Sequence, residues 1–345
     1  MNALKETKKK HLLSILKYLY LHNSSTMNEL VENLQLSQPS IRNMVRTLQE
    51  KQLIQEVGND LSSGGRCPTR FALNENNYLI LCLYVQVDKV IYQLRNFNEI
   101  KKEGILFYQS EDELKKTIKD LIDQEKIHCC QIAVEGIVYE DVYVTDHHNV
   151  LEKHQWLKDI KKEINIPLQL QNDVKMIHQG CYFTYQQDST YYLYINEVGI
   201  GSSYFYKDEP LYGRSGIMGE IGLISLKGKT INQQIRECQN QEEFNEILSL
   251  LLSIVFTMID PKRLELSLDL KWRYEKNIIE KVLNEINQSC FENLYFHEDV
   301  SSMLFDGLVY RGVVYLLKES DTELVGKNAA FLSEKLATIK TDIPI

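Results

Sequence analysis

The sequence lacks an apolar run long enough to cross a membrane. Its longest apolar stretch, residues 247–259, is interrupted by Ser249, Ser253 and Thr257 and is shorter than the roughly 20 residues that a membrane-spanning helix needs. We interpret it as a buried helix. The basic first ten residues are followed by an amphipathic helical pattern that contains Lys17, and not by the apolar core of a signal peptide. These absences predict a cytoplasmic protein without a membrane partner.

The seven cysteines lack any regular spacing. Their number is odd and only Cys129 and Cys130 are adjacent, so they form neither a disulfide framework nor a zinc-ligand pattern. We expect reduced core residues. Tracts rich in proline, glycine or any single residue type are absent too, which argues against a long low-complexity segment. A chain of 345 residues is then expected to fold into two or three domains, at about 150 residues each.

Acidic residues outnumber basic ones and give a net charge of −9, which by itself argues against nucleic-acid binding. The charge is unevenly distributed, however. Ten basic and six acidic side chains precede Asn74, a net charge of +4, and the remainder of the chain therefore carries −13. A basic N-terminal segment joined to an acidic remainder is typical of a DNA-reading module fused to a sensor.

The N-terminal segment contains the pattern of three helices. Apolar residues recur at helical spacing on both sides of the polar sequence HNSST: Leu12, Ile15, Leu16 and Leu19, then Met27, Leu30, Val31 and Leu34. Ser25 or Thr26 can cap the second helix, and Ser37 can cap a third. The inner face of the third helix carries Ile41, Val45 and Leu48. The connecting turn LQLS is short, as in a helix-turn-helix whose later helix enters the major groove of DNA.

The outward positions of the third helix are polar and can hydrogen-bond base edges or phosphates. They are Gln38, Ser40, Arg42, Asn43 and Arg46. The alternative is that they form the solvated face of an ordinary surface helix.

A hairpin is predicted after these helices. Leu53, Ile54 and Val57 indicate a strand, the sequence GNDLSSGGRCPT follows, and residues 70–73 indicate a returning strand. The tip carries Gly64, Gly65 and Arg66. Glycine permits close backbone approach, and arginine suits the narrow minor groove. The hairpin is therefore predicted to be a wing that contacts DNA.

These parts together resemble the repressors of the ROK family (repressors, open reading frames and sugar kinases). The resemblance begins in QLIQEVGNDLSSGGRCPTRFALN and is most specific in LYINEVGIGSSYFYKDEPLYGRSGIMGEIGLISL, residues 193–226, which is similar to the family's phosphate-loop strand, hairpin and GEIGH sugar-site motif. Weaker matches are VEGIV at 134–138, the Asn172–Asp173 pair, MIDPKRLEL and the region of Gly312.

The resemblance implies an α/β fold in two parts. Residues 1–75 would form a winged helix-turn-helix DNA-binding domain. Residues 76–345 would form a two-lobed, actin-like (ribonuclease H-like) sugar-kinase domain, with lobe 1 at about 76–190 plus a C-terminal helix and lobe 2 at about 191–305. Strand-like runs alternate with helical stretches in agreement with this fold; they lie at residues 79–85, 131–134, 168–170, 191–195 and 263–268.

Three departures from the family pattern argue against kinase chemistry. Family kinases begin the domain with an acidic residue and glycines that hold ATP phosphates, where this chain has Tyr84 and Gln86; side chains there should hinder phosphate binding. The GEIGH histidine is Leu223, and only Cys238 follows in place of a cysteine-rich zinc knuckle, whereas zinc needs about four ligands. The glutamate segment that completes the sugar site is not recognisable. We therefore expect no catalytic residues, no metal site and no cofactor.

Other family positions are retained. Asp173 matches the catalytic base of the kinases, Asn172 and Glu220 match sugar contacts, and Gly136 matches a glycine that lets the ligand approach the backbone. Gly199–Gly201 keeps part of the second phosphate loop. The alternative is structural, because Asn-Asp and Gly-x-Gly sequences are common in turns.

The leading interpretation is a sequence-specific DNA-binding regulator of carbohydrate genes, usually a repressor in this family. It would bind an inverted-repeat operator in double-stranded DNA as a homodimer or a dimer of dimers, and a sugar or sugar derivative would control it. Two alternatives remain open. One is an ATP-dependent sugar kinase, and the other is a regulator whose second domain serves only as a dimerisation scaffold.

Overall fold

The computed structural model describes residues 2–59, 67–75, 78–97, 99–147, 150–185, 189–206, 209–285 and 293–319. The chain forms two compact units. Among the described residues, the N-terminal unit takes in the chain up to Leu79, Asn96–Glu99 and residues 311–319, and the main unit takes in Ile80–Arg95 and Ile100–Tyr310. Of the helices in the described ranges, none is both long and apolar enough to span a membrane.

The N-terminal unit begins with three helices and a small antiparallel sheet. Its elements are α1 (Asn2–His22), β1 (Ser25–Thr26), α2 (Met27–Leu34), α3 (Gln38–Glu50), β2 (Ile54–Asn59) and β3 (Thr69–Leu73). The strand order is β1-β3-β2. Leu19, Leu30, Ile41, Leu48 and Phe71 are fully or almost fully buried in this unit. Apolar side chains from all three helices and the sheet thus supply its core, as the helical periodicity predicts.

The two caps predicted from the sequence are confirmed. The Thr26 hydroxyl accepts a hydrogen bond from the Glu29 backbone N–H at 3.3 Å, and the Glu29 carboxylate accepts one from the Thr26 N–H at 2.8 Å, which is a complete capping box. The Ser37 hydroxyl accepts from the Ser40 N–H at the start of α3. Arg70 lies 3.1 Å from the Glu29 carboxylate and thereby joins β3 to α2.

The main unit is a mixed α/β structure. Its strands are β4 (Ile80–Val85), β5 (Lys89–Arg95), β6 (Ile100–Phe107), β7 (Cys129–Val134), β8 (Ile137–Tyr139), β9 (Val142–His147), β10 (Val150–His154), β11 (Leu168–Asn172), β12 (Ser189–Asn196), β13 (Ile200–Tyr206), β14 (Glu209–Pro210), β15 (Ser225–Leu226), β16 (Lys229–Thr230), β17 (Arg263–Asp269) and β18 (Leu294–His297). Its helices are α4 (Glu111–Asp123), α5 (Trp156–Glu163), α6 (Asp173–Tyr185), α7 (Ile231–Glu237), α8 (Gln241–Met258), α9 (Lys276–Glu285) and α10 (Val300–Glu319).

Two five-stranded sheets of the main unit follow the same plan. The first has the order β11-β7-β4-β5-β6 and the second the order β14-β13-β12-β17-β18. In each sheet an antiparallel run of three strands continues into parallel strands, with β4 parallel to β7 and β12 parallel to β17. The five strand-like runs predicted from the sequence are confirmed within a residue or two at their ends.

The apolar run near residue 250 is part of α8, as predicted. Leu248, Leu251 and Leu252 are fully buried there and pack in one cluster with Leu193 and Leu264 of the second sheet. A helix that buries this much apolar surface is held in place mainly by the hydrophobic effect.

Helices α6 and α10 cross at very short distance. A Cβ added to Gly180 would lie 1.9 Å from the Met303 carbonyl oxygen, and one added to Gly307 would lie 2.0 Å from the Met176 carbonyl oxygen. Backbone atoms cannot move aside as a flexible side chain can, so both positions require glycine.

Candidate functional site

The polar face of α3 is exposed as the sequence predicts. All five proposed contact residues are solvent-exposed, whereas Ile41, Met44, Val45 and Leu48 on the opposite face are buried; the exposed set is Gln38, Ser40, Arg42, Asn43 and Arg46. Among the exposed side chains, Arg46 pairs with Glu50 at 2.8 Å, a surface ion pair that holds it only weakly. The helix thus presents amide, hydroxyl and guanidinium groups on a rigid, capped element.

The strands of the predicted hairpin pair as expected. β2 and β3 are antiparallel, with Ile54 opposite Leu73, and the register shifts between Glu56 and Gly58. The three tip residues Gly64, Gly65 and Arg66 lie outside the residues that the structure describes.

A cavity of about 100 Å³ in the main unit brings together the four ligand residues predicted from the sequence. We call it the ligand pocket. Gly136 follows β7, Asn172 and Asp173 lie where β11 passes into α6, and Glu220 precedes the 3-10 turn Ile221–Leu223. The pocket is also lined by Gly199, from the turn between β12 and β13, by Gly201 of β13 and by Leu223. Residues far apart in the chain therefore meet at the ends of strands, where α/β folds usually place a ligand.

Asn172 uses its side chain mainly to organise the pocket. Its amide group donates to the Gly136 carbonyl at 2.8 Å and to the Asp173 carboxyl at 3.3 Å, and its oxygen accepts from the Lys175 N–H at 2.9 Å. These three bonds occupy both amide hydrogens and orient the start of α6. Asn172 thus fixes the position of Asp173.

The backbone around Gly136 requires glycine at this position, in addition to its place in the pocket. Its φ is +107°, and a Cβ there would lie 2.2 Å from the Val144 carbonyl oxygen of β9. The resemblance to ROK proteins implies that glycine is needed here so that a ligand can approach the backbone. In the structure, the group that lies closest to Gly136 is the backbone of β9.

Two carboxyl groups of the pocket, those of Asp173 and Glu220, have pKa values raised above the ordinary range. Burial, and secondarily the charge of Glu135, raise the pKa of Asp173 to about 8. Burial raises the pKa of Glu220 to about 7, although the nearby Lys175 ammonium lowers it. Burial in turn lowers the pKa of Lys175. Asp173 therefore carries a proton at neutral pH and can both donate and accept hydrogen bonds, which suits a hydroxyl ligand.

Glu135 is a pocket residue that the sequence reasoning missed. Its carboxylate accepts hydrogen bonds from the Tyr84 hydroxyl at 3.0 Å and from the Gln86 amide at 3.1 Å. The Tyr84 hydroxyl also lies 3.5 Å from the Asp173 carboxyl. The only available signal was its position directly before Gly136. Tyr84 and Gln86, where the resemblance to ROK kinases leads one to expect an acidic residue and a glycine, thus contact the acidic side of the pocket.

The segment where the resemblance places a zinc knuckle has its own regular structure. β15 and β16 pair as a short hairpin, and α7 follows with a capping box between Thr230 and Gln233. Cys238 ends this segment, and its thiol donates to the Asn240 carbonyl. Asn232 of α7 lines the ligand pocket, and its side-chain oxygen accepts from the Ile200 N–H at 2.8 Å.

Solved structures share this mixed α/β fold. A ROK family transcriptional regulator, described as a homolog of the E. coli MLC protein, superposes with a TM-score of 0.60 at 14% identity and covers 85% of this chain and 95% of its own. A ROK family protein from Streptococcus pneumoniae in complex with sucrose superposes with a TM-score of 0.55 at 13% identity. The match covers 71% of this chain and 99% of that protein. ROK hexokinase from Thermus thermophilus superposes with a TM-score of 0.52 at 12% identity. The match covers 67% of this chain and 97% of the hexokinase. At these identities the similarity establishes the fold.

The main unit therefore has the mixed α/β fold of ROK proteins. Residues 105–249 match the sequence model of the ROK family, so this segment is similar to a ROK family domain. The chain is also 23% identical over 229 residues to the xylose repressor of Staphylococcus xylosus, an alignment that covers 60% of this chain. It spans 58% of the length of that curated relative.

Proposed function

We propose that the protein is a sequence-specific DNA-binding repressor of carbohydrate genes, and that a sugar bound in a non-catalytic ROK domain controls it. The observation that carries the proposal is the amphipathic helix α3. It is capped by Ser37, buried along its apolar face and exposed along its polar face. A helix of this kind, after a short turn, is suited to read the major groove. The relatives named as a repressor and as a transcriptional regulator support this proposal.

Residues 1–75 are then a winged helix-turn-helix, and residues 76–345 are the ROK domain. The β2–β3 pair is the stem of the wing, and Gly64, Gly65 and Arg66 at its tip would contact the minor groove. The net charge of +4 before Asn74 favours approach to DNA. Two copies in a homodimer would read the two halves of an inverted repeat.

DNA selection followed by affinity measurement tests this proposal. The full chain is used to select sequences from a random duplex library, and affinity for the selected sequence is then measured at several salt concentrations. Asn43→Ala should reduce affinity for that sequence roughly 5- to 150-fold, because a good base contact contributes about 1–3 kcal/mol of discrimination. Arg66→Ala should weaken binding and reduce the salt slope by about 1.

Lys116→Ala is the matched control, since Lys116 is an exposed cation of α4 in the main unit. It should bind like the wild type. A wild-type chain that shows no preference for any selected sequence over random competitor DNA would contradict the proposal.

For the sensor, we propose that Asp173 and Glu220 bind the ligand hydroxyls, and that Asn172 and Gly136 shape the pocket around them. Xylose is the first candidate because of the relative's name, and a thermal-shift screen should include hexoses, amino sugars and disaccharides. A ligand that binds only the native state raises the melting temperature. Glu220→Gln should reduce that rise. A uniformly flat screen would favour the scaffold alternative.

Kinase activity is the second candidate, favoured by one observation: Asp173 and Gly199–Gly201 line the same cavity. The contacts of Tyr84 and Gln86 with Glu135 argue against it, because phosphate groups would have to enter where these side chains lie. ADP release measured across common sugars distinguishes the two. Turnover that Asp173→Asn abolishes would replace the non-catalytic proposal.

A further inference from the structure

A cluster of three potential metal ligands lies in the main unit, formed by side chains from three elements. Cys181 lies in α6, Glu265 in β17 and His297 in β18. One donor atom from each lies within 4.8 Å of the others. The Cys181 Sγ is 3.4 Å from the His297 Nε2, and the same nitrogen contacts the Glu265 Oε2. The three residues are far apart in the sequence, and the fold alone brings them together.

The cluster is enclosed. Cys181 is 3% exposed, and the side chains of Glu265 and His297 are 2% and 17% exposed. A buried carboxylate is costly unless it is paired or binds a metal ion. This burial distinguishes the cluster from the groups of acidic side chains that are common on protein surfaces.

The donor set fits zinc. Thiolate, imidazole and carboxylate are the three ligand types that Zn²⁺ takes in proteins, at about 2.3 Å to sulfur and about 2.0–2.1 Å to nitrogen. Tetrahedral angles between bonds of those lengths place the sulfur and nitrogen roughly 3.5 Å apart, and the observed distance between Cys181 Sγ and His297 Nε2 is 3.4 Å. The Glu265 Oε2, which contacts the same nitrogen directly, has to move about 1 Å away from it for both atoms to bind the ion.

Neighbouring side chains hold two of the ligands in position. The Arg263 guanidinium donates to the Oε1 of Glu265, which leaves the Oε2 directed at His297. Arg263 itself stacks on the Tyr295 ring at 3.4 Å, and the Tyr192 ring stacks on the His297 imidazole with centroids 6.3 Å apart. Such outer contacts orient metal ligands in known sites. The arginine charge also helps to offset the thiolate and carboxylate.

We propose that Cys181, Glu265 and His297 form a Zn²⁺ site, with water as the fourth ligand. Binding forms bonds from the metal to Sγ, Oε2 and Nε2. The thiol proton leaves to solvent, the proton shared between Nε2 and Oε2 is displaced to Nδ1 or to solvent, and the bound imidazole carries its proton on Nδ1. The site is distinct from the segment after Glu220, where the resemblance to ROK proteins places a zinc knuckle. The ion would fasten α6, the helix that begins at Asp173, to the second sheet.

Metal binding by the full chain tests the proposal. The protein is stripped with a chelator and titrated with Zn²⁺ alone in competition with a chromogenic chelator, and the bound metal is counted by elemental analysis. One zinc per chain is expected, together with a higher melting temperature. Cys181→Ser and His297→Gln should each weaken binding at least 10-fold, since each removes a direct ligand.

Cys238→Ser is the matched control: it removes another buried thiol, in the segment of the expected zinc knuckle, and should leave the affinity unchanged. Binding that survives both ligand variants, or that is lost in Cys238→Ser, overturns the proposal.

A measurement on the wild type covers the case in which a variant fails to fold. X-ray absorption of the zinc-loaded chain should give one sulfur at about 2.3 Å and three nitrogen or oxygen ligands. Cobalt substitution should give thiolate-to-metal charge-transfer absorption. A wild-type chain that binds no stoichiometric zinc, or binds it without sulfur, indicates a hydrogen-bonded cluster and rejects the site.

Discussion

The Tyr84 hydroxyl donates a hydrogen bond to the Glu135 carboxylate at 3.0 Å, from the end of β4 to the loop that follows β7. In ROK kinases, as the sequence resemblance implies, the position of Tyr84 is acidic and lies in a phosphate loop. Here a phenol links two strands of the first sheet at the edge of the ligand pocket. The bond therefore has a structural effect that can be measured apart from any ligand.

Removing this bond should destabilise the fold moderately. Tyr84→Phe leaves the ring in place and removes one donor from Glu135, which keeps Gln86 as a partner. We expect the free energy of unfolding to fall by about 1.5–3 kcal/mol, as for a hydrogen bond to a charged acceptor. Urea denaturation measures this loss of stability. Tyr139→Phe, at a half-exposed tyrosine, should change stability by no more than about 0.5 kcal/mol; equal losses in the two variants would contradict the prediction.

The buried carboxyl groups should make stability depend on pH. The pKa of Asp173 rises from 3.8 to about 8 on folding, so between these values the native state binds more protons than the unfolded state. The contribution of Asp173 to the free energy of unfolding is then greatest below about pH 4 and is lost as the pH rises towards 8. Glu220, with its pKa raised to about 7, adds to the same trend.

Asp173→Asn tests this pH dependence because it keeps the shape of the side chain and removes its titration. Urea midpoints measured from pH 5 to pH 8.5 should fall less steeply in the variant than in the wild type. A wild-type curve that rises over this interval in parallel with the variant would show that Asp173 is ionised throughout.

The crossing of α6 and α10 should tolerate no side chain at Gly307. The added methyl group would meet the Met176 carbonyl at 2.0 Å, so the helices must separate. We expect Gly307→Ala to cost about 1–3 kcal/mol, the usual range for an overpacked core, although alanine favours helix formation. Thermal unfolding checks this. Ser301→Ala, on the exposed side of the same helix, should be neutral or slightly stabilising, and a stabilised Gly307→Ala chain would disprove the close crossing.

The capping box of α2 should contribute measurably to the N-terminal unit. Thr26→Ala removes the hydroxyl that accepts from the Glu29 N–H, and loss of such a cap costs about 0.5–2 kcal/mol. Thr26→Ser keeps the hydroxyl and should retain most of the stability. Hydrogen exchange of the first-turn amides of α2 gives a local measurement; unchanged protection in Thr26→Ala would mean that the cap contributes little.

Local sequence signals predicted the N-terminal helices well. The caps at Thr26 and Ser37 and the exposed face of α3 depend on residues within one or two turns of each other, and such short-range patterns can be read directly. The same holds for the apolar run in α8, whose length and composition already indicate a buried helix.

Long-range contacts were not predictable in the same way. Glu135 gains its role from Tyr84 and Gln86, which are about fifty residues away, and no periodicity marks it. The explanation of Gly136 also changed, because the carbonyl of Val144 that approaches it belongs to a hairpin whose position depends on tertiary packing. The Cys181, Glu265 and His297 cluster has no spacing signature at all.

The path of the chain through its two units affects how genetic lesions would act. The chain passes between the units four times, and the portion of α10 from Arg311 onward belongs with α1, α2 and α3. Ending translation at position 311 would therefore leave every residue of the ligand pocket in the chain while removing the part of α10 that belongs to the N-terminal unit. Chains that stop there should then resemble missense variants in α1, α2 and α3.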